Sequence, residues 1–76
     1  MIHHVIANDT FKLYIDNLLH LSLNIHYLVG LQSWKPTFQG EYYTIEFYYL
    51  NKQVITCEYV DEKLWKEILE IVDKLF

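Results

Sequence analysis

The chain has 76 residues, 53 % apolar and 17 % aromatic, with six Lys, no Arg, ten Asp plus Glu and one cysteine. That length holds one domain, and a lone cysteine excludes an internal disulfide and fits a reducing, cytoplasmic setting. Without guanidinium groups or clustered cations, direct binding of a nucleic-acid backbone is not expected.

Met1–Ala7 reads as a short edge strand, with Ile2, His4 and Ile6 on one side and His3 and Val5 on the other. It lacks the basic start and long apolar stretch of a leader segment. Asn8-Asp9-Thr10 is a turn cluster. From Phe11 to Leu31 every second residue is apolar, Asn17 excepted, which is the period of strands with one buried face. Opposed residues share a face, so a three-residue loop, Asp16-Asn17-Leu18, sets Ile15 against Leu19, Leu13 against Leu21 and Phe11 against Leu23. A two-residue loop pairs Leu13 with His20 and spoils both faces.

Leu19–Trp34 is too long for one strand, so a bend or bulge is expected near Asn24 or Gly30. This region is also broken by His20, Ser22, Asn24 and His26, so it does not read as a membrane span. A rival helix capped by Asp9 would carry the stripe Phe11, Tyr14, Ile15, Leu18, Leu21, Ile25, Leu28 and Val29. It leaves Leu13, Leu19, Leu23 and Tyr27 on its far side, whereas strands leave only Tyr14, Leu18 and Leu28 outside.

Ser33–Gly40 is the clear loop, holding the only proline. Glu41–Leu50 and Gln53–Val60 form a second hairpin about Asn51-Lys52. Two registers preserve its faces, and we prefer Phe47 opposite Ile55 because the other opposes Glu46 to Glu58. From Asp61 the period becomes helical, with Leu64, Trp65, Ile68, Ile71, Val72 and Leu75 on one stripe. Asp61 suits the N-cap, and Val60 is placed to staple against Trp65. Glu62–Lys66, Lys63–Glu67 and Glu70–Lys74 lie four apart on the outer face. The fold class is therefore α+β: a curved antiparallel meander of five or six strands packed on one C-terminal helix, in a single domain.

Chemistry is sparse. His3 and His4 alternate faces, and His20 and His26 lie about 20 Å apart along a strand, so neither pair has metal-ligand spacing. Solvated outer-face histidines are the plainer reading, and no metal or cofactor is expected. Cys57 sits among apolar residues as a small hydrophobe, and no nucleophile–base constellation accompanies it. The chain is thus read as no enzyme. Its functional signal is the aromatic surplus: Trp34 and Phe38 in the loop, and Tyr42 and Tyr48 on the face opposite the core. Such rings are enriched at protein interfaces. Those four residues are the expected contact site for a protein partner or a second copy of the chain.

Leu31-Gln32-Ser33-Trp34, then Tyr43-Thr44-Ile45-Glu46-Phe47-Tyr48, then a helix carrying Trp65, resembles small uncharacterised proteins of phages and mobile elements over Val29–Leu75. The likeness implies a similar fold. A strand meander closed by a helix with an inward Trp is also similar to the pleckstrin-homology-like barrel, although the basic lipid-binding loop of such barrels is missing. Two alternative functions follow. One is a phage-type inhibitor of a host nucleic-acid enzyme, tolerated by the acid excess after Gly40. The other is a metal-responsive regulator using His3, His4, His20 or His26.

Overall fold

The computed structural model describes residues 1–76. It is an α+β fold of six antiparallel strands in two three-stranded sheets, followed by one helix. The first sheet holds β1 (Ile2–Ala7), β2 (Thr10–Ile15) and β3 (Leu18–Asn24), in that order. A single 3₁₀ turn, Ile25–Tyr27, leads into the second sheet: β4 (Leu28–Trp34), β5 (Tyr43–Tyr49) and β6 (Val54–Tyr59). The helix, α1, spans Glu62–Asp73. The first half is therefore strands, not a helix.

Turn chemistry sets the registers. Asn8 and Asp9 both take positive φ, 52° and 65°, as a two-residue type I′ hairpin turn requires. Asp16 and Asn17 do the same at 50° and 66°. Ile15 consequently pairs with Leu18, which overturns the expected three-residue loop. Leu13–Leu21 and Phe11–Leu23 pair as expected, because a bulge absorbs one residue, His20, between Leu19 and Leu21. The two-residue turn is tolerated because that extra residue restores the apolar parity. Leu19 falls outside the core as a result and is exposed.

The bend expected near Asn24 or Gly30 occurs at both. Asn24 caps the 3₁₀ turn, its side chain accepting from His26 N–H at 3.1 Å. A second register shift follows between Leu28 and Gly30. It turns Val29 outward and brings Leu28 against the core, the reverse of the uninterrupted alternation. Tyr27 is likewise exposed.

The second hairpin takes the preferred register, with Phe47 opposite Ile55, Ile45 opposite Cys57 and Glu46 opposite Thr56. Its connection is closed by Lys52 at φ 70°, the left-handed residue that ends a three-residue hairpin loop. Asp61 caps α1, accepting from Lys63 N–H at 2.9 Å. The expected staple is not formed: Val60 is exposed, and the ring against Trp65 is Tyr43, 5.4 Å between centroids. Of the three outer-face pairs, Glu62–Lys66 closes to an ion pair at 3.3 Å.

The core is one cluster of ten residues drawn from all three layers: Phe11, Leu13, Leu21 and Leu23 from the first sheet, Ile45, Phe47 and Tyr59 from the second, and Trp65, Ile68 and Val72 from α1. Trp65 also donates its indole N–H to the Thr44 carbonyl at 3.0 Å, so its polar atom is satisfied inside. Truncating a buried Trp to Ala costs about 3–5 kcal/mol, against a total of about 4–11 kcal/mol for a domain this size. Trp65→Ala should therefore lower Tm by at least about 12 °C in a thermal melt followed by circular dichroism. A smaller loss would mean that α1 contributes little to the core.

Candidate functional site

The outer face of the second sheet is built by register. Reading across the strands, Trp34 pairs with Thr44, which pairs with Glu58; Gln32 with Glu46 and Thr56; Gly30 with Tyr48 and Val54. Trp34 closes β4, so the expected Ser33–Gly40 loop loses Ser33 and Trp34 to the strand. It remains 43 % exposed and shares a face with Thr44. The connection that follows carries Phe38, 74 % exposed, and ends with Tyr42, 47 % exposed.

This connection is held at several points. Phe38 C=O accepts from Glu41 N–H at 3.2 Å, closing a turn in which Gly40 has φ 91°. Thr37 Oγ1 donates to Glu41 at 3.4 Å. At its base, Lys35 Nζ lies 3.3 Å from Glu62 Oε1, which also holds Lys66. Tyr43 donates its hydroxyl proton to the other Glu62 oxygen at 3.2 Å. Glu62 thereby ties the loop entrance, the first residue of β5 and the start of α1 together. Lys35 and Lys66, through hydrogen bonding, draw its carboxyl below the usual range.

Tyr48 is placed differently from the other three. It is half-buried, and its hydroxyl lies 2.7 Å from Glu46 Oε1 and 3.0 Å from Gln32 Oε1, while Glu46 Oε2 accepts from Thr56 at 3.0 Å. The hydrogen bond to Glu46 raises the phenol pKa. The ring covers Gly30, where a Cβ would meet Tyr48 Cδ2 at 3.8 Å. Tyr48 shares the outer face with Trp34 but lies about 13 Å along the strand at ~3.3 Å per residue. Phe38 and Tyr42 thus lie within one connection and Trp34 at the strand end that opens it, with Tyr48 in a polar network beyond. Glu46 faces Thr56, and Glu58 faces Thr44.

The four histidines are dispersed, each beside an aromatic ring: His3 on Tyr14, His4 on Phe11, His20 near Tyr59 and His26 near Tyr27. No three His, Cys, Asp or Glu side chains gather as metal ligands. His20 is exposed as expected but also makes a contact across the sheets. Freed from alternation by its bulge, it places Nε2 2.7 Å from the Tyr59 hydroxyl, joining the two sheets. Burial raises the Tyr59 pKa far above its ordinary value, so the phenol stays protonated in this contact. Cys57, beside Tyr59 in β6, is also pushed up by burial, away from thiolate chemistry.

A cleft of about 450 Å³ lies where the 3₁₀ turn meets the β5–β6 connection, lined by Asn24, Tyr27, Tyr49, Leu50, Asn51 and Gln53. Tyr49 OH accepts from Asn24 N–H at 2.9 Å, and Leu50 N–H donates to Tyr27 C=O at 2.8 Å. These residues are far apart in sequence and carry no motif, so periodicity gives no hint of the cleft. No helix is long and apolar enough to cross a membrane. No family model, curated protein or solved structure matches the chain.

Burial draws the His20 pKa below its ordinary value, so the unfolded chain takes up the proton more readily than the folded one. Stability from this group is complete above the unfolded value of about 6.5 and declines as pH falls through it. Thermal melts should show a drop in Tm between pH 7.5 and 5.5 that is smaller in His20→Gln. An identical pH profile in the variant would show that His20 is equally protonated in both states.

Proposed function

We propose that this protein is a small, non-enzymatic interaction module that docks a protein partner through the Trp34–Tyr42 connection, with Tyr48 at the margin. The observation that carries the reading is the exposure of three large rings, Trp34 opening and Phe38 and Tyr42 within one connection fastened by the Glu62 ion pairs and the Phe38–Glu41 turn. Exposed rings on a fastened loop lose little conformational freedom on binding, which is the economy that makes Trp and Tyr frequent at interface centres. A fully exposed ring offers about 150–250 Å², so at 43 %, 74 % and 47 % exposure the three form the apolar centre of a patch whose remainder comes from the neighbouring strands. Gln32, Glu46, Thr56 and Glu58 on the adjoining strands provide a polar rim. The raised Cys57 thiol adds support for binding over covalent chemistry.

Capture from a lysate of the source cell tests this. Wild-type protein should retain a discrete partner, and Phe38→Ala should weaken retention at least tenfold, about 1.4 kcal/mol. Phe38 is so exposed that its truncation should cost no more than about 0.5 kcal/mol of stability, less than about 4 °C in Tm. Retention unchanged by Phe38→Ala and Trp34→Ala together would remove the loop from the contact. Steep weakening with salt would instead favour an inhibitor that docks its acidic residues in a basic enzyme groove.

A further inference from the structure

An edge strand displays unpaired backbone groups, and folded proteins blunt such edges with charge, proline, bulges or cover. Two three-stranded sheets leave β1, β3, β4 and β6 as edges. Three of them carry a blunting device: β3 is bulged at His20, β4 is irregular between Leu28 and Gly30, and β6 carries Glu58. β1 carries none. Its sequence, Ile-His-His-Val-Ile-Ala, has no Lys, Glu, Asp, Pro or Gly, and its pairing with β2 runs without interruption.

Register tells which groups face outward. Met1 C=O accepts from Asp16 N–H at 2.9 Å, and Ala7 and Thr10 flank a two-residue turn, so Met1, His3, Val5 and Ala7 bond toward β2. Ile2, His4 and Ile6 therefore point their N–H and C=O groups away from the sheet. They are spaced two apart, the repeat an antiparallel partner strand needs.

We infer that β1 pairs with β1 of a second copy of this chain, antiparallel about a two-fold axis at His4, joining the two first sheets into one. The strand is self-complementary about that residue. Ile2 falls opposite Ile6 of the other copy, His4 opposite His4, and Ile6 opposite Ile2, and each opposed pair exchanges both backbone bonds. Ile2, His4 and Ile6 share the core-side face through their pairing with Ile15, Leu13 and Phe11, so the facing isoleucines extend the apolar layer. On the other face Val5 meets His3. Ile6, 55 % exposed, and Val5, 50 % exposed, are covered in this arrangement. No like charge opposes another, which is why the occupant is a second copy and not a charged peptide.

Two measurements test the pairing on the full chain. Sedimentation over a dilution series should give a dimer that dissociates to monomer. Amide hydrogen exchange on the concentrated sample should protect Ile2, His4 and Ile6 by at least tenfold over the dilute sample, since one copy alone leaves these amides to solvent. Ile6→Pro removes only an outward N–H, and His4→Lys sets two cations face to face. Each should yield monomer, with the far-ultraviolet dichroism of the wild type. A monomer at every concentration overturns the proposal. So does a dimer whose Ile2, His4 and Ile6 amides exchange freely, a result readable even if a variant misfolds. Trp34→Ala with Phe38→Ala should leave the dimer intact, and its loss there would move self-association to the loop.

Discussion

Everything in this molecule depends on a core too small to be divided. Only eleven of 76 residues are buried, and ten of them form the one apolar cluster. Neither sheet holds more than part of that cluster, and a small sheet needs a hydrophobic face or a packed helix to be stable. The helix supplies the cover. Trp65 contributes the largest side chain of its stripe and reaches the Thr44 carbonyl with its indole N–H. One residue thus does two things for β5: it shares the core with Ile45 and Phe47, and through Thr44 and Tyr43 it fixes the strand whose first residues flank the exposed loop. Packing and presentation are linked through that strand.

The period of the sequence carries most of this architecture. Phe11, Leu13, Leu21 and Leu23 in the first sheet, and Ile45 and Phe47 in the second, are buried where alternation places them. Trp65, Ile68 and Val72 follow from helical spacing. Alternation fails at Tyr27, where the chain leaves the strand for the 3₁₀ turn, and where a residue is inserted into a strand, because a one-residue slip reverses the side chains that follow. The His20 bulge and the Leu28–Gly30 irregularity are two such insertions, and between them they expel Leu19 and Val29. A turn pair such as Asp16-Asn17 signals a tight hairpin, but the bulge that compensates for it has no signature in composition. Local sequence determines the turn, and the demand for a filled core determines where the strand absorbs the difference.

The insertions also join the sheets. His20, released from the ladder, bonds to Tyr59 of β6. The 3₁₀ turn after Asn24 is held from both sides, by Ile25 N–H to Asp9 C=O at 2.7 Å and by Asn24 N–H to the Tyr49 hydroxyl. Such contacts span 39 and 25 residues of chain and depend on geometry that no period encodes. This is why the exposed rings of the loop were legible as a candidate site while the Asn24–Gln53 cleft was not. Trp34, Phe38 and Tyr42 announce themselves by residue type within one short segment. The cleft is assembled from ordinary residues brought together by the bend.

Charge is divided unevenly between the two sheets, and that division bears on what each can meet. Through Asn24 the chain has only Asp9, Lys12 and Asp16, whereas eight of the ten acids follow Gly40. Four of those acids are already engaged: Glu62 holds Lys35, Lys66 and Tyr43, Glu46 holds Tyr48 and Thr56, Glu41 accepts from Thr37, and Asp61 caps α1. Glu62 lies at the base of the aromatic connection and Glu46 in the network beyond it, and each fixes neighbouring side chains. The first sheet, with almost no charge to repel an approaching strand, has two edges: β3 is bulged and β1 is bare. A chain with so little apolar interior gains more from completing a ladder at that edge than from any single surface ion pair, because backbone bonds and apolar cover arrive together while exposed ion pairs contribute roughly 0–1 kcal/mol.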